Sequence, residues 1–142
     1  MKNLKLDPMA GYSGTPLAKK LGIKSGHFLR LLNQPAYYHE LFNDFPDNVN
    51  FEELNGRADI IHFFTQNAYE LMEQLPLLKG EIKQNGMIWV SWPKKASKVP
   101  TDVTEDVIRD LALKIGLVDV KVCAVDDVWS GLKLVIPLKD RK

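Results

Sequence analysis

Two stretches in the middle of the chain, Ala58-Asp-Ile-Ile-His-Phe-Phe-Thr65 and Met87-Ile-Trp-Val-Ser-Trp92, are almost continuously apolar. A strand with one wet face alternates polar and apolar residues, so runs of this kind fit strands covered on both faces. Between them, Asn67 is placed to cap a helix reaching roughly Lys83, with Pro76 set to kink or interrupt it. Another helix is expected from Asp102, with Val103, Val107, Ile108, Leu111, Ala112 and Ile115 on one face and Gly116 at its end. Strands and helices that alternate through short connections build a mostly parallel sheet with helices packed on it.

The flanks extend this pattern. Thr15-Pro16 opens a first helix with an apolar face of Leu17, Ala18 and Leu21, and Gly22 ends it. His27 to Leu32 reads as a strand. Pro35 starts a short helix carrying the stripe Tyr37, Tyr38, Leu41, Phe42 and Phe45, and Val49, Phe51 and Leu54 mark a weak second strand. Near the end, Val118–Val125 and Leu132–Leu138 pair as an antiparallel hairpin across Asp126–Gly131. The expectation is one α/β domain over residues 1–142, a three-layer Rossmann-like sandwich of about six strands, with 1–14 an extended N-terminal segment. The order of elements is similar to the later half of a class I methyltransferase domain, which would give the strand order 2-1-3-4-6-5.

Composition removes several classes of function. The 142 residues carry a formal net charge of +1, without the concentrated basic excess of a nucleic-acid domain. Cys123 is the one cysteine, so the chain builds no internal disulfide or cysteine-rich metal site. His27, His39 and His62 lack metal-ligand spacing, and Asp126-Asp127 reads as a turn using aspartate for its own backbone bonds. No signal-peptide core or membrane-length apolar run is visible, so a soluble cytoplasmic protein is expected.

Three segments stand out together: GYSGTPLAKKLGIK (11–24), WVSWPKKASKVPTDVTEDVIRDLAL (89–113) and GLVDVKVCAVDDVWSGLKLVI (116–136). With them, the chain resembles a family of small bacterial proteins catalogued as domain of unknown function 3052. The words WPKKAS…PTD and DDVWSGLK are the specific ones. The resemblance implies no activity.

Function has to be read from candidate sites. A dinucleotide or S-adenosylmethionine (SAM) site needs glycines after the first strand, so that backbone approaches the ligand and a following helix aims its amides at it. That turn here is Asn33-Gln34-Pro35-Ala36-Tyr37, with no glycine and with a proline that removes a donor. No cofactor is therefore expected, although Glu52 or Glu53 is placed to meet a ribose. The crevice at the carboxyl ends of the strands remains a candidate for a small ligand, with Asn33 and Gln34 facing Thr65 and Gln66 and with Trp92, Lys94, Lys95 and Ser97 extending the rim. The lysine loop admits two readings. Lys94, Lys95 and Lys98 precede a helix start that attracts anions, but Asp102, Glu105 and Asp106 already supply negative charge there. A charge-balanced, capped loop is favoured, with Asp102 and Glu105 at capping-box spacing.

Other chemistry is weaker. Ser91-Trp-Pro-Lys94 matches S-x-x-K by letters but lies in a strand, and Cys123 reads as a buried thiol. Trp89 and Trp92 have opposite parity and should point to opposite faces of the sheet. Trp129, placed in the hairpin connection, either packs over the sheet or anchors a partner chain. The favoured reading is a non-catalytic binding or regulatory module on a methyltransferase-like fold, with an unidentified small ligand or protein partner. The alternatives are a divergent methyltransferase or nucleotide-using enzyme with an atypical loop, and a protein-docking scaffold subunit.

Overall fold

The structure, a computed structural model, describes residues 14–51 and 56–142. The expected extended segment thus falls, but for Gly14, outside the described residues. Helix α1 (Leu17–Leu21) precedes strand β1 (Leu29–Leu32), and strand β2 (Ala58–Phe64) leads through α2 (Ala68–Lys79) to β3 (Ile82–Pro93). Helix α3 (Glu105–Lys114) connects to β4 (Val118–Ala124), which returns as β5 (Trp129–Val135). Among the described residues the sheet has five strands in the order β1-β2-β3-β5-β4. β1, β2 and β3 run parallel, and β5 is antiparallel to both β3 and β4. β4 therefore points the same way as the first three, and the sheet is mixed.

The strand expected around Val49–Leu54 is not formed among the described residues. Only a single parallel bridge, Phe28 with Asn50, remains on the outer side of β1, while residues 52–55 lie outside the described residues. Phe51 is exposed and is not a buried strand position; it stacks on Phe45 at 5.9 Å and meets His39 edge-on at 5.5 Å. The aromatic stripe begins with a 3-10 turn, Tyr38–Leu41, instead of a helix.

The apolar runs behave as two-faced strands. Ile61, Phe63, Ile88, Val90 and Trp92 pack beneath α2 and α3, with Leu71, Leu75, Ile108 and Ala112 above them. Ile60, Phe64 and Trp89 face the other way, into a second core with Leu17, Ala18, Leu21, Tyr38 and Trp129. Trp89 and Trp92 do lie on opposite faces. Both are buried.

Several boundaries move for local reasons. α2 ends at Lys79 with Pro76 inside it, and β3 begins at Ile82, a few residues before the apolar run. The extra length bulges against β2, where Gly86 lies so close that an added Cβ would sit 3.0 Å from the carbonyl oxygens of Ala58, Asp59 and Lys83. Pro16, not Thr15, takes the cap position of α1, and its amides are satisfied by Asp44, whose carboxylate accepts from Ala18 N at 3.0 Å and Lys19 N at 3.1 Å. α3 starts at Glu105 with Thr104 accepting from Val107 N at 3.2 Å, so the Asp102–Glu105 capping box is not formed. Gly131 belongs to β5, where an added Cβ would lie 3.2 Å from Ser91 Oγ, and is not a turn glycine.

Candidate functional site

The chain leaves β1 on one side, reaches Asn50, and returns to pair β2 on the other. Connections that diverge in this way open a crevice beyond the carboxyl ends of the two strands. A cleft of about 380 Å³ lies there, lined by Asn33, Thr65 and Gln66 from the expected set, together with Pro35, Phe64, Asn67, Glu70 and Trp129. Gln34 and Trp92 do not line it, and Trp92 is buried in the core.

The polar groups of the cleft are largely committed to one another. Glu70 accepts from Asn33 Nδ2 at 2.8 Å and from Thr65 Oγ1 at 2.7 Å, tying the ends of β1 and β2 to the first turn of α2. Asn67 caps that helix by accepting from Glu70 N at 3.0 Å. The carboxylate of Asp102 reaches across from the lysine loop to accept from Ala68 N at 2.7 Å, and Thr101 Oγ1 donates to Gln66 O at 2.7 Å. Glu70 was not anticipated, although Asn67 followed three residues later by an acid is the local signal that places it.

The described turn after β1 lacks the glycine and the helix end that a dinucleotide or SAM site uses. Asn33 adopts the left-handed conformation (φ 59°), which asparagine tolerates, but its side chain fills the approach that a glycine would leave open. Pro35 brings no amide, and the following 3-10 turn is too short to aim a helix end at a ligand. The helix terminus that does face the rim, that of α2, already holds Asn67 and Asp102. Glu52 and Glu53, the ribose candidates, lie outside the described residues.

The lysine loop separates from this cleft. Lys94, Lys95 and Lys98 make no ion pair among the described residues. The acids expected to balance them have other partners: Glu105 and Asp106 pair with Arg109, and Asp102 caps α2. Ser97 is structural, since its hydroxyl donates to Lys94 O at 2.7 Å and accepts from Val99 N at 3.2 Å, closing a small turn. Lys95 is exposed. Lys94 lines a separate cavity of about 470 Å³, bounded by the start of α1, residues 41–44 and the β4–β5 turn. Both hollows lie on the carboxyl rim of the parallel strands, one beyond β1 and β2 and the other beyond β3 and β4. Sequence distance hid the second one, because its walls come from four separate parts of the chain.

Beneath the rim lies a buried polar chain that the sequence did not reveal. Tyr38 Oη is 3.0 Å from His62 Nδ1, and His62 Nε2 is 2.7 Å from Ser91 Oγ. A hydroxyl beside an imidazole oriented by a third group is the pattern of an activated nucleophile. Here Ser91 is fully buried, close against Gly131, and substrate has no approach to it. Burial holds the His62 imidazole down at about 3 and pushes the Tyr38 phenol up, so both stay neutral. The network satisfies three buried polar side chains and locks the sheet to the Tyr38 turn. Cys123 is likewise buried, and desolvation raises its thiol above the ordinary value against the opposing pull of Lys20 and Lys121. Trp129 is no exposed anchor: it is buried, donates from Nε1 to Tyr37 Oη at 3.2 Å and meets Phe64 edge-on at 5.0 Å.

Among the described residues, no group of three or more His, Cys, Asp or Glu side chains is placed to hold a metal ion. No helix among them is long and apolar enough to cross a membrane.

Solved structures give the class to which this architecture belongs. Magnesium protoporphyrin IX methyltransferase (ChlM) from Synechocystis PCC 6803, with bound SAM, matches with a TM-score of 0.57 over 85% of this chain and 76% of its own, at 10% identity. A putative methyltransferase from Thermoplasma acidophilum matches with a TM-score of 0.53 over 81% of this chain and 70% of its own, at 6% identity. A protein of the NADB-Rossmann superfamily from Streptococcus agalactiae matches at 0.51, covering 83% of this chain and 66% of its own at 11% identity. The chain therefore has a methyltransferase-like, Rossmann-like α/β fold. No family model and no curated protein sequence matches it.

Proposed function

We propose that this protein is a non-catalytic binding or regulatory module on a methyltransferase-like fold, holding a small ligand at the carboxyl rim of its sheet. One observation carries the reading: the turn after β1 presents Asn33, tied to Glu70, and Pro35 where a cofactor-using relative of this fold needs glycine and a helix end. Most polar groups of the crevice bond to one another, Asn33, Thr65, Asn67 and Glu70 among them. Kinship with the family catalogued as domain of unknown function 3052, and with it a bacterial cytoplasmic setting, belongs to the same proposal.

The second reading, a divergent methyltransferase, draws on the likeness to structures with bound SAM. Thermal melts of the full chain distinguish the two. A ligand present at about 100 times its Kd stabilises by about 2.7 kcal/mol, which moves Tm by several degrees in a chain of this size. Neither SAM nor NAD should produce a saturable shift. A saturating rise with either one would replace the module with the enzyme.

A further inference from the structure

The larger cavity carries charges that tell what kind of ligand suits it. Two lysines, Lys20 and Lys94, and three aspartates, Asp44, Asp126 and Asp127, line its wall, so acids outnumber bases there. That balance opposes a phosphate or a nucleotide, whose multiple negative charges would meet more acid than base. Two of the aspartates are already engaged. Asp44 holds the amides of Ala18 and Lys19, and Asp126 Oδ1 accepts from Val128 N at 2.9 Å and Trp129 N at 2.8 Å. Lys20 donates to Ala124 O at 3.3 Å.

Two opposite charges on the wall have no such commitment. Among the described residues, the Lys94 ammonium and the Asp127 carboxylate make no ion pair or side-chain hydrogen bond, with each other or with anything else. Their two segments are nonetheless fastened together nearby, since Lys94 N donates to Val128 O at 2.7 Å. The lining thus holds one half-buried cation, Lys94, and one exposed anion, Asp127, that are not paired with each other. Leu17, Leu41 and Val125 give the same cavity apolar lining. All three sequence segments that carry the family resemblance meet here, through Leu17, Lys94 and Asp127.

We infer that this cavity binds a small zwitterion with an apolar body, of the apolar α-amino acid type, its carboxylate on Lys94 and its ammonium on Asp127. The inference rests on the binding-module reading and names the ligand chemistry that the module would recognise. A volume of about 470 Å³ is ample for such a molecule.

The test is a titration of the 15N-labelled full chain with L-leucine, L-methionine and L-phenylalanine, followed by amide shifts in two-dimensional NMR. At least one should give saturable shifts at Leu17, Lys94, Val125 and Asp127, in the millimolar range or tighter. Its analogues lacking either the amine or the carboxylate should bind at least about tenfold more weakly, since each loses one charge-assisted bond. Lys94→Gln and Asp127→Asn should each weaken the zwitterion by a similar factor while leaving the spectrum elsewhere unchanged. Absence of saturable shifts with all three amino acids would overturn the inference. So would inorganic phosphate binding as tightly, or both variants binding as the unmutated chain does. SAM titrated into the same sample keeps the two claims apart: tight binding that moves Asn33, Thr65 and Gln66 would refute the module reading, whereas failure of the amino acids alone refutes only this ligand class.

Discussion

Acid should destabilise this protein through His62 in a way that one variant exposes. The imidazole is fully enclosed, with a folded-state pKa near 3 against 6.5 when free in solution. A group whose folded pKa is depressed contributes stability that is present above the unfolded value and is lost as pH falls toward the folded one. Below about pH 6.5 the unfolded chain takes up a proton that the native chain refuses, at a slope approaching 1.36 kcal/mol per pH unit. From about pH 7.5 to about pH 4.5 the loss from this one side chain is therefore on the order of 2–3 kcal/mol. Carboxylates that titrate in the same range add their own losses, so the comparison must be differential. Urea unfolding of the unmutated chain and of His62→Phe, at both pH values, isolates the histidine. The variant should be less stable at neutral pH, because the Tyr38 and Ser91 hydroxyls lose their partners at about 1–3 kcal/mol each. It should then lose about 2–3 kcal/mol less than the unmutated chain on acidification. His62→Gln, which keeps an amide partner for one hydroxyl, serves if the phenylalanine variant does not fold. Equal acid losses in both proteins, or a His62 ring proton titrating near pH 6 in the native NMR spectrum, would refute the buried-neutral account.

Two further outcomes follow from the rim. Asp102→Ala removes the carboxylate that caps α2 from the neighbouring loop and should cost about 1 kcal/mol in chemical unfolding. Changing Lys94, Lys95 and Lys98 together to alanine should move stability by no more than about 0.5 kcal/mol per site, because none of the three holds an ion pair among the described residues.

The sequence made the central layer legible because burial on both faces leaves a signature within a few residues. The runs at 58–65 and 87–92 read as strands, and Asn67 announced the start of α2. What failed to show were features whose cause lies far along the chain. Phe51 alternates with Val49 as a strand residue would, yet it packs on Phe45 and His39 rather than against a neighbouring strand. Gly131 looks like a turn glycine until its approach to Ser91 is seen. Asp102 has the spacing of a capping box for its own helix, but its carboxylate serves a helix 34 residues away. The candidate site split for the same reason. Asn33, Thr65 and Gln66 come together because β1 and β2 are neighbours, while Lys94 belongs with the β4–β5 turn, which β5 brings alongside β3.

On the proposed reading, the rim has the shape of a methyltransferase-like fold without the means to hold SAM. Isothermal titration of SAM into the full chain measures that directly. With Asn33 tied to Glu70 and Pro35 supplying no amide, heats should stay at the dilution level up to millimolar SAM. A saturable isotherm with micromolar Kd, abolished by substitution of Asn33 or Thr65, would contradict the account.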